Sequence, residues 1–458
     1  MLLRDGFVAE ASERLSEEMV AASIANRQGH SEVLNDSRRR VALILGGNYR
    51  ALGVVRSLGR RGIPVWVVNQ DGHVLAGLSR YAERTLPWPD GDDALKIGYL
   101  EELAARHSAD QFLLIPTDDE CTTLISQNHD LLAGKFVLTT PPWISLQWAV
   151  NKKQMYQLGD RLGIDQPRTL FPRSLEMLAS FDLRFPVILK PATREVLNPL
   201  TKDKAWQVED RPRLLTRFIE ACKHLPPESI MVQELIPGGA EAQYSYAALC
   251  LDGKPLGSLV AIRARQFPMD FGRFSTFVET VEETAVATNA TKLLEAIRFT
   301  GLVEVEFKRD RRDGSYKLLD INPRIWGWHS LCASAGVDFS HLLWKLKWKQ
   351  SLPEVRAHSG ARWVRFAPDF VVAIGEMVKG RLALSDYLRG LRPPVETAIF
   401  AFDDPLPALC EFPALLGLLC RRALNRLKAR NKSLSTVPTP GSVAAGRNSA
   451  ILAAHHSE

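Results

Sequence analysis

The sequence is short of the features that mark secreted, membrane-spanning and zinc-binding proteins. Its six cysteines include no C-x-x-C pair, which argues against a zinc site or a disulfide framework and favours a reducing, cytoplasmic location. No apolar run reaches the ~18 residues that a membrane-spanning helix needs, and the N-terminus lacks the apolar core of a secretory signal. The net charge of +6 comes with no clustered basic face or reading element, so nucleic-acid binding is not expected.

What is present is the composition of a large globular protein. The chain has 458 residues, of which 46% are hydrophobic and 24% are charged, and this length predicts two to four domains. Residues 1–37 are polar and mixed in charge, so we expect a disordered or loosely ordered arm. Residues 433–458 are rich in Ser, Thr, Pro, Gly and Ala and read as a disordered tail.

An α/β domain is expected over residues 38–142. Two apolar runs, Val41–Leu45 and Val65–Val68, predict buried strands around a Gly-rich turn and a helix. The turn lacks the G-x-G-x-x-G spacing, and Asn69 stands where NAD enzymes carry an acidic residue. The pattern therefore disfavours NAD binding.

Polar residues follow two of the predicted strands of this domain. Asn48 comes after the first strand, and Thr117 and Asp118 come after the strand at 112–116. Open α/β sheets bind ligands at the carboxyl ends of their strands. These three residues border a substrate crevice under that interpretation, and are ordinary turn residues under the alternative.

A predicted hairpin lies near the middle of the chain. Residues 303–308 and 318–322 alternate between apolar and polar side chains on either side of an Asp-Gly turn. Folding the turn brings Glu306 close to Asp320, and Asn322 follows on the same face. Two carboxylates and an amide oxygen suit Mg²⁺ shared with phosphates. The alternative is a solvated strand face.

Two further segments carry groups suited to a nucleotide. The apolar strand at 185–192 contains Lys190, which either meets a phosphate or extends its ammonium group to water at the strand end. The strand at 230–236 runs into a Pro-Gly turn, where exposed backbone groups can pair with an adenine edge. Glu241, just beyond the turn, is within reach of ribose hydroxyls.

Two arginines, Arg263 and Arg265, are expected on one side of a later strand. Arginine forks suit carboxylate and phosphate, so we expect one of them to contact the γ-phosphate or a substrate carboxylate. The prediction assigns this catalytic role to Arg265. The alternative is a pair of surface arginines before a loop.

These segments, in this order over about residues 40–350, resemble the ATP-grasp superfamily of ATP-dependent carboxylate ligases. The runs at 233–241, 265–268 and 322–327 resemble the carboxylate–amine ligases related to D-aspartate ligase. The resemblance implies a cofactor-binding set of Lys152, Lys190, Gln233, Glu234, Leu235, Ile236 and Glu241. It implies Mg²⁺ ligands, with Mn²⁺ as a substitute, at Glu306, Asp320 and Asn322.

The resemblance also implies a role for each part of this set. Lys152 is the first basic residue that contacts the nucleotide, and Lys190 contacts the α- and β-phosphates. Glu234–Ile236 form the adenine-binding linker, and Glu241 binds the ribose. Arg324 is catalytic, because it stabilises the transferred phosphate.

Two departures from the family pattern stand out. Residues 192–237 contain no glycine, although the family often covers the phosphates with a glycine-rich loop there. Lys202 or Lys204 replaces that loop, or the lid is altered. Residues 326–329 bring two tryptophans and a histidine next to the site, and His329 is either a general base or, as we expect, a packed side chain.

The implied architecture combines α/β and α+β parts. A Rossmann-like pre-ATP-grasp domain over 38–142 precedes a two-lobed ATP-grasp fold over 143–350 and an accessory region over 351–432. The implied enzyme is an ATP-dependent carboxylate–amine ligase that activates a carboxylate as an acyl phosphate and couples it to an amine. A catalytically altered ATP-binding protein and an ATP-grasp carboxylase or phosphotransferase stay open.

The accessory region predicts helices at 370–379 and 384–391, and then a basic amphipathic helix at 415–432. Such a helix is typical of anionic membrane surfaces and also of packing against a core or a second subunit. Peripheral membrane contact and a homodimer therefore both stay open. The expected partners are small carboxylate and amine substrates.

Overall fold

A computed structural model describes residues 38–69, 74–192, 206–269, 272 and 274–411. The chain divides into two compact units, Met1–Ile399 and Phe400–Glu458. Everything that follows concerns the first unit. The predicted N-terminal arm, Lys202 and Lys204, the basic helix at 415–432 and the tail at 433–458 lie outside the described residues. No helix in the described ranges is long and apolar enough to cross a membrane.

The first sheet has five parallel strands in the order β3-β2-β1-β4-β5. The strands are β1 (Arg39–Leu45), β2 (Val65–Asn69), β3 (Arg84–Pro87), β4 (Asp110–Pro116) and β5 (Val137–Leu138). The helices between and after them are α1 (Tyr49–Gly59), α2 (Asp93–Arg106), α3 (Asp119–Gln127) and α4 (His129–Ala133). The continuous apolar runs fill a buried core, as expected of parallel strands covered on both faces. The three strands predicted from this part of the sequence are confirmed.

Turn residues at the strand ends start the following helices. The side chain of Asn48 accepts a hydrogen bond from the Arg50 backbone N–H at 2.9 Å, which caps α1. The side chain of Asp118 accepts one from the Cys121 backbone N–H at 2.8 Å, which caps α3. Both caps lie at the same edge of the sheet, because β1 and β4 are adjacent and parallel.

The second sheet is small and antiparallel, with strand order β6-β9-β7-β8. It is formed by β6 (Thr169–Leu170), β7 (Val187–Pro191), β8 (Trp206–Val208) and β9 (Ile230–Glu234). Four helices precede or alternate with these strands along the chain: α5 (Trp143–Val150), α6 (Lys152–Arg161), α7 (Leu175–Ser180) and α8 (Arg211–Ala221). The side chain of Asn151 accepts hydrogen bonds from the backbone N–H groups of Lys153 and Gln154, and so caps α6.

The third sheet has seven strands in the order β14-β13-β10-β11-β12-β15-β16. The strands are β10 (Gln243–Leu251), β11 (Lys254–Phe267), β12 (Phe274–Val281), β13 (Gly301–Arg309), β14 (Tyr316–Asn322), β15 (Arg362–Val364) and β16 (Glu396–Thr397). The remaining helices are α9 (Thr284–Ala296), α10 (Leu331–Ser334), α11 (Phe339–Lys347), α12 (Phe366–Val378) and α13 (Leu384–Gly390). One face of this sheet packs with α6 and α9 into a buried core.

The predicted helices of the accessory region are observed with shifted bounds. The segment at 370–379 belongs to α12, which begins earlier at Phe366, and the segment at 384–391 is α13. β15 and β16 add to the edge of the seven-stranded sheet beside β12. The domain boundaries drawn from the sequence stay a prediction.

Candidate active site

The hairpin of β13 and β14 forms with the predicted pairing. Glu306 lies opposite Asp320, and Glu304 lies opposite Asn322. The alternate residues, among them Val305, are fully buried in the core on the other face. Because pairing is antiparallel and side chains alternate, the polar face is set by the sequence pattern.

A buried carboxylate organises the polar face. Glu304 is 2% exposed, and its Oε1 accepts a hydrogen bond from Trp328 Nε1 at 3.0 Å. Asn322 Nδ2 donates to Glu304 Oε2 at 3.2 Å and to Glu306 Oε1 at 2.8 Å. Arg263 Nη2 donates to Glu304 Oε1 at 3.3 Å and also to Glu306 Oε1, forming a salt bridge with each carboxylate. Burial opposes the charge on Arg263, but the two carboxylates outweigh it and raise its pKa.

Arg324 connects this face to the first sheet. Its Nη2 donates to Asn322 Oδ1 at 3.2 Å, and its Nε donates to Asp119 Oδ1 at 2.7 Å. Asp119 is the first residue of α3, more than two hundred positions earlier in the chain. The contact therefore brings the carboxyl end of β4 to the hairpin.

The two predicted lysines converge on Asp320. Lys152 Nζ lies 2.7 Å from Asp320 Oδ1. Burial alone would lower the pKa of Lys152, but the attraction of Asp320 prevails and raises it. Burial would raise the pKa of Asp320, but the charges of Lys152, Lys190 and Arg324 reverse this and lower it. Asp320, which the sequence assigned to a metal, therefore pairs with Lys152 and also feels the positive charges of Lys190 and Arg324.

The predicted adenine-binding linker is partly occupied by the protein itself. Backbone N–H groups of Glu234 and Leu235 donate to the carbonyls of Arg168 and Pro186, at 2.9 and 3.1 Å. The Glu234 carboxylate lies 2.7 Å from Arg312 Nη1. Any adenine contact is therefore left to the backbone carbonyls of the linker and to the buried Ile236.

Gln233 and Glu241 differ in their surroundings. Gln233 is 1% exposed, and its Nε2 donates to the hydroxyls of Tyr156 and Thr169 at 2.7 and 2.8 Å. Its side chain thus ties the small sheet to α6. Glu241 is exposed, and its Oε1 accepts from Arg311 Nη2 at 2.6 Å in an open cleft. These contacts give Gln233 a packing role and leave Glu241 accessible to a ligand.

Arg263 and Arg265 lie on opposite faces of the sheet, so the expectation that they share one side is wrong. Arg263 is in register with Val278, whereas Arg265 is in register with the adjacent Phe277. Paired residues share a face and consecutive residues do not, so the irregularity at Ala264 turns Arg265 away from the carboxylates.

Arg265 forms a buried pair on its own face. Its Nε and Nη2 donate to the two carboxylate oxygens of Asp369 on α12, both at 2.8 Å. Its guanidinium also lies over the rings of Phe277 and Tyr387, at 4.2 and 5.2 Å from their centroids. The structure brings Arg263, and not Arg265, to the predicted metal ligands.

His329 is packed, as expected. It is 4% exposed, contacts the rings of Trp326 and Phe339, and its Nε2 lies 2.8 Å from Ser340 Oγ. Burial lowers the pKa of the imidazole to about 4. His329 is therefore neutral near pH 7 and sits inside an aromatic cluster.

The oxygen ligands of the hairpin fit a Mg²⁺ ion that is also bound by phosphate. Within the described ranges no group of three or more His, Cys, Asp or Glu side chains is arranged as a metal cage. The hairpin instead offers the carboxylates of Glu306 and Asp320 and the Asn322 amide oxygen, among cations suited to phosphate. Such a set matches Mg²⁺ that completes its shell with phosphate oxygens and water.

Glu304 and Asp119 are the site residues that the sequence did not single out. Glu304 was visible only as one more polar residue of the alternating strand. The signal that would have identified it is the indole N–H of Trp328, a buried donor that needs an acceptor. No neighbouring residue marks Asp119 as part of the site, because its partner Arg324 is distant in sequence.

Glu304→Gln is expected to destabilise the protein by about 1–3 kcal/mol. Glutamine keeps one acceptor oxygen where the donors Trp328, Asn322 and Arg263 now share the two oxygens of the carboxylate. Urea unfolding measures the change. Glu295→Gln, at an exposed position on α9, is the matched control and should leave the midpoint unchanged. Equal midpoints for the two variants would contradict the central place of Glu304.

Known proteins are similar to this chain in sequence. Residues 227–365 match the family described as "ATP-grasp in the biosynthetic pathway with Ter operon". A D-aspartate ligase of Enterococcus faecium is 29% identical over 236 residues, covering 47% of this chain and 53% of that enzyme. The match therefore spans about half the length of that relative.

Solved structures support the fold. An L-amino acid ligase from Bacillus licheniformis aligns with a TM-score of 0.54 at 16% identity, over 70% of this chain and 78% of that one. An N5-carboxyaminoimidazole ribonucleotide synthetase in its ADP complex aligns with a TM-score of 0.56 at 12% identity, over 75% and 87%. A biotin carboxylase from Campylobacter jejuni aligns at 0.54 and 16%, over 70% and 74%. The chain thus has the ATP-grasp fold and resembles the carboxylate–amine ligases of that superfamily, D-aspartate ligase among them.

Proposed function

We propose that this protein is an ATP- and Mg²⁺-dependent ligase that joins a small carboxylate to an amine. An oxygen of the substrate carboxylate attacks the γ-phosphorus of ATP, and ADP leaves. The amine nitrogen then attacks the acyl carbon of the acyl phosphate. Inorganic phosphate leaves, the nitrogen loses a proton, and an amide remains.

The observation that carries this proposal is the meeting of Lys152, Lys190 and Arg324 around Asp320. Phosphoryl transfer depends on positioning and on neutralising charge, and it needs no nucleophilic side chain. Cations clustered around oxygen ligands are the arrangement that this chemistry requires. The resemblance to D-aspartate ligase supports carboxylate activation as the purpose of the transfer.

Each residue of the cluster has a proposed task. Lys152 and Lys190 bind the phosphates, and the Lys152–Asp320 pair opens so that each partner meets its ligand. Glu306, Asp320 and Asn322 would hold Mg²⁺, or Mn²⁺ in its place, which would supply positive charge to the phosphates. Arg324, fixed by Asp119, stabilises the phosphoryl group in transfer.

The remaining assignments follow from the reaction. The substrates are small molecules, and the supply of ATP favours a cytoplasmic location. Glu234–Ile236 and Glu241 border the adenosine, as the resemblance implies. The catalytic role first assigned to Arg265 passes to Arg263, which lies beside Glu304 and Glu306.

Hydroxylamine tests the proposal, because it intercepts acyl phosphates as hydroxamates. Purified protein is incubated with Mg²⁺, ATP, hydroxylamine and a panel of small carboxylates, and both ADP and hydroxamate are measured. We expect ADP release that depends on the carboxylate, with hydroxamate in equal amount. ATP binding without release of ADP in any mixture would contradict a ligase and favour a catalytically altered ATP-binding protein.

The same panel separates the other ATP-grasp reactions. Biotin carboxylase is among the proteins of similar fold, so bicarbonate is included as a donor. Turnover with bicarbonate alone would favour a carboxylase. A stable phosphorylated product without hydroxamate would favour a phosphotransferase.

A further inference from the structure

An exposed apolar surface lies on α12 and α13, the two helices that follow β15. Seven large apolar side chains on these helices are between 45% and 83% exposed. They are Phe366, Phe370, Val371, Ile374 and Val378 on α12, and Leu384 and Leu388 on α13. We call these seven residues the α12–α13 surface. Exposed apolar residues that stand singly need no explanation, but a group of this size on two consecutive helices marks an interaction site.

The two helices are anchored on the same face of the seven-stranded sheet. Asp369 of α12 is buried and accepts two hydrogen bonds from Arg265 of β11, both at 2.8 Å. Tyr387 of α13 is also buried, and its ring centroid lies 5.2 Å from the same guanidinium. The helices therefore lie side by side over Arg265. Phe370 and Leu388, each one position after its anchoring residue, are on the exposed sides of the two helices.

The exposed side of α12 is a ridge beside a groove. Residues four apart lie in one row along a helix, and one row of α12 holds the large side chains at 366, 370, 374 and 378. The next row holds the smaller residues Ala367, Val371 and Gly375. A Cβ added at Gly375 would meet no atom within 4 Å beyond its chain neighbours and the backbone of its own helix. Such a ridge and groove are complementary to a second copy of themselves, because these rows interdigitate when two helices cross at about −50°.

The charges around this surface favour a protein partner over a membrane. The seven residues include no charged side chain, and the cations just after α12 and on α13 already have partners. Lys379 and Arg381 pair with Glu376, and Arg389 pairs with Asp386. Helices that lie on anionic membranes instead border their apolar face with many Lys and Arg side chains that are available to the lipid headgroups.

The area of the surface is sufficient for a stable dimer. Large apolar side chains present on the order of 150–250 Å² each when fully accessible, so the seven together expose roughly 700–800 Å². A stable interface buries about 800 Å² on each partner. We propose that the α12–α13 surface is a homodimer interface, in which α12 packs against α12 of a second copy across a twofold axis. The inference concerns assembly and does not depend on the proposed ligase activity.

Sedimentation equilibrium of the full chain at micromolar concentration tests the interface. We expect the wild-type protein to be a dimer. A double variant, Phe370→Asp with Ile374→Asp, should be a monomer, because like charges then face each other across the twofold axis. Ile219→Asp, at a similarly exposed apolar position on α8, is the matched control and should stay dimeric.

A second double variant separates loss of the interface from a folding defect. Phe370→Lys with Ile374→Lys should also be a monomer on its own. When it is mixed in equal amounts with the Asp double variant, we expect a dimer that contains one copy of each, because opposite charges now meet across the axis. Native mass spectrometry identifies this mixed species, which a misfolded variant would not form.

Three results would overturn the inference. The first is a wild-type monomer, which would leave the surface to another segment of the chain or to a different protein. The second is a dimer of the Asp double variant alone, or the absence of a mixed dimer, since either would place the contact elsewhere. The third is flotation of the wild type, but not of the Asp double variant, with vesicles of phosphatidylcholine and phosphatidylserine, which would make the surface a membrane contact.

Discussion

Asp320→Ala should lower Mg²⁺-dependent ATP turnover by ~10²-fold or more, and Asn322→Ala should have the same effect. Both residues offer oxygen to the proposed metal, and Asp320 also holds Lys152 at 2.7 Å. ADP release in the carboxylate panel measures the loss. The effect is expected in kcat, because phosphate charge is neutralised most strongly as the phosphoryl group transfers.

Asp313→Ala is the matched control for this pair of variants. It removes an acidic residue from the turn of the same hairpin, where Asp313 bonds Ser315 and Lys317 and is far from the metal face in the ladder. Turnover should be unchanged in this variant. Wild-type turnover in Asp320→Ala or Asn322→Ala, with the fold intact, would rule out the metal assignment.

Asp369→Ala should destabilise the protein by about 3–5 kcal/mol, because it leaves Arg265 buried without its partner. Asp369 is 0% exposed, and both of its oxygens accept from Arg265. Urea unfolding measures the change in free energy. Asp386→Ala breaks the exposed Asp386–Arg389 pair on α13 and should cost less than about 1 kcal/mol.

This prediction also decides the role of Arg265. If the pair is structural, the folded fraction of Asp369→Ala retains the wild-type kcat. A loss of kcat beyond the loss of folded protein would restore Arg265 to the catalytic role that the sequence gave it.

The sequence predicts the hairpin because its information is local. Alternation predicts which side chains share a face, and the Asp-Gly turn brings Glu306 close to Asp320. An irregularity between Glu306 and Phe307 then sets these two residues opposite each other. The buried strands of the first sheet are predicted for the same reason.

Long-range and irregular features were not accessible in this way. The irregularity at Ala264 in β11 turns the side chain of Arg265 to the opposite face of the sheet. No pattern in the residues around Ala264 predicts it. Gln233 lies in a run that resembles the family's motif, yet its amide donates to the hydroxyl of Tyr156, which lies 77 positions away. Asp119 meets Arg324 across 205 positions. Such contacts follow from how the sheets assemble, and no pattern in a short window encodes them.

The most direct measurement is a crystal structure of the protein with Mg²⁺ and a non-hydrolysable ATP analogue. We predict a cation about 2.0–2.1 Å from oxygens of Glu306, Asp320 and Asn322, with Lys152 and Lys190 on the phosphates. We also expect Arg324 beside the terminal phosphate. A nucleotide bound elsewhere, or a metal held without the hairpin, would contradict the proposed site.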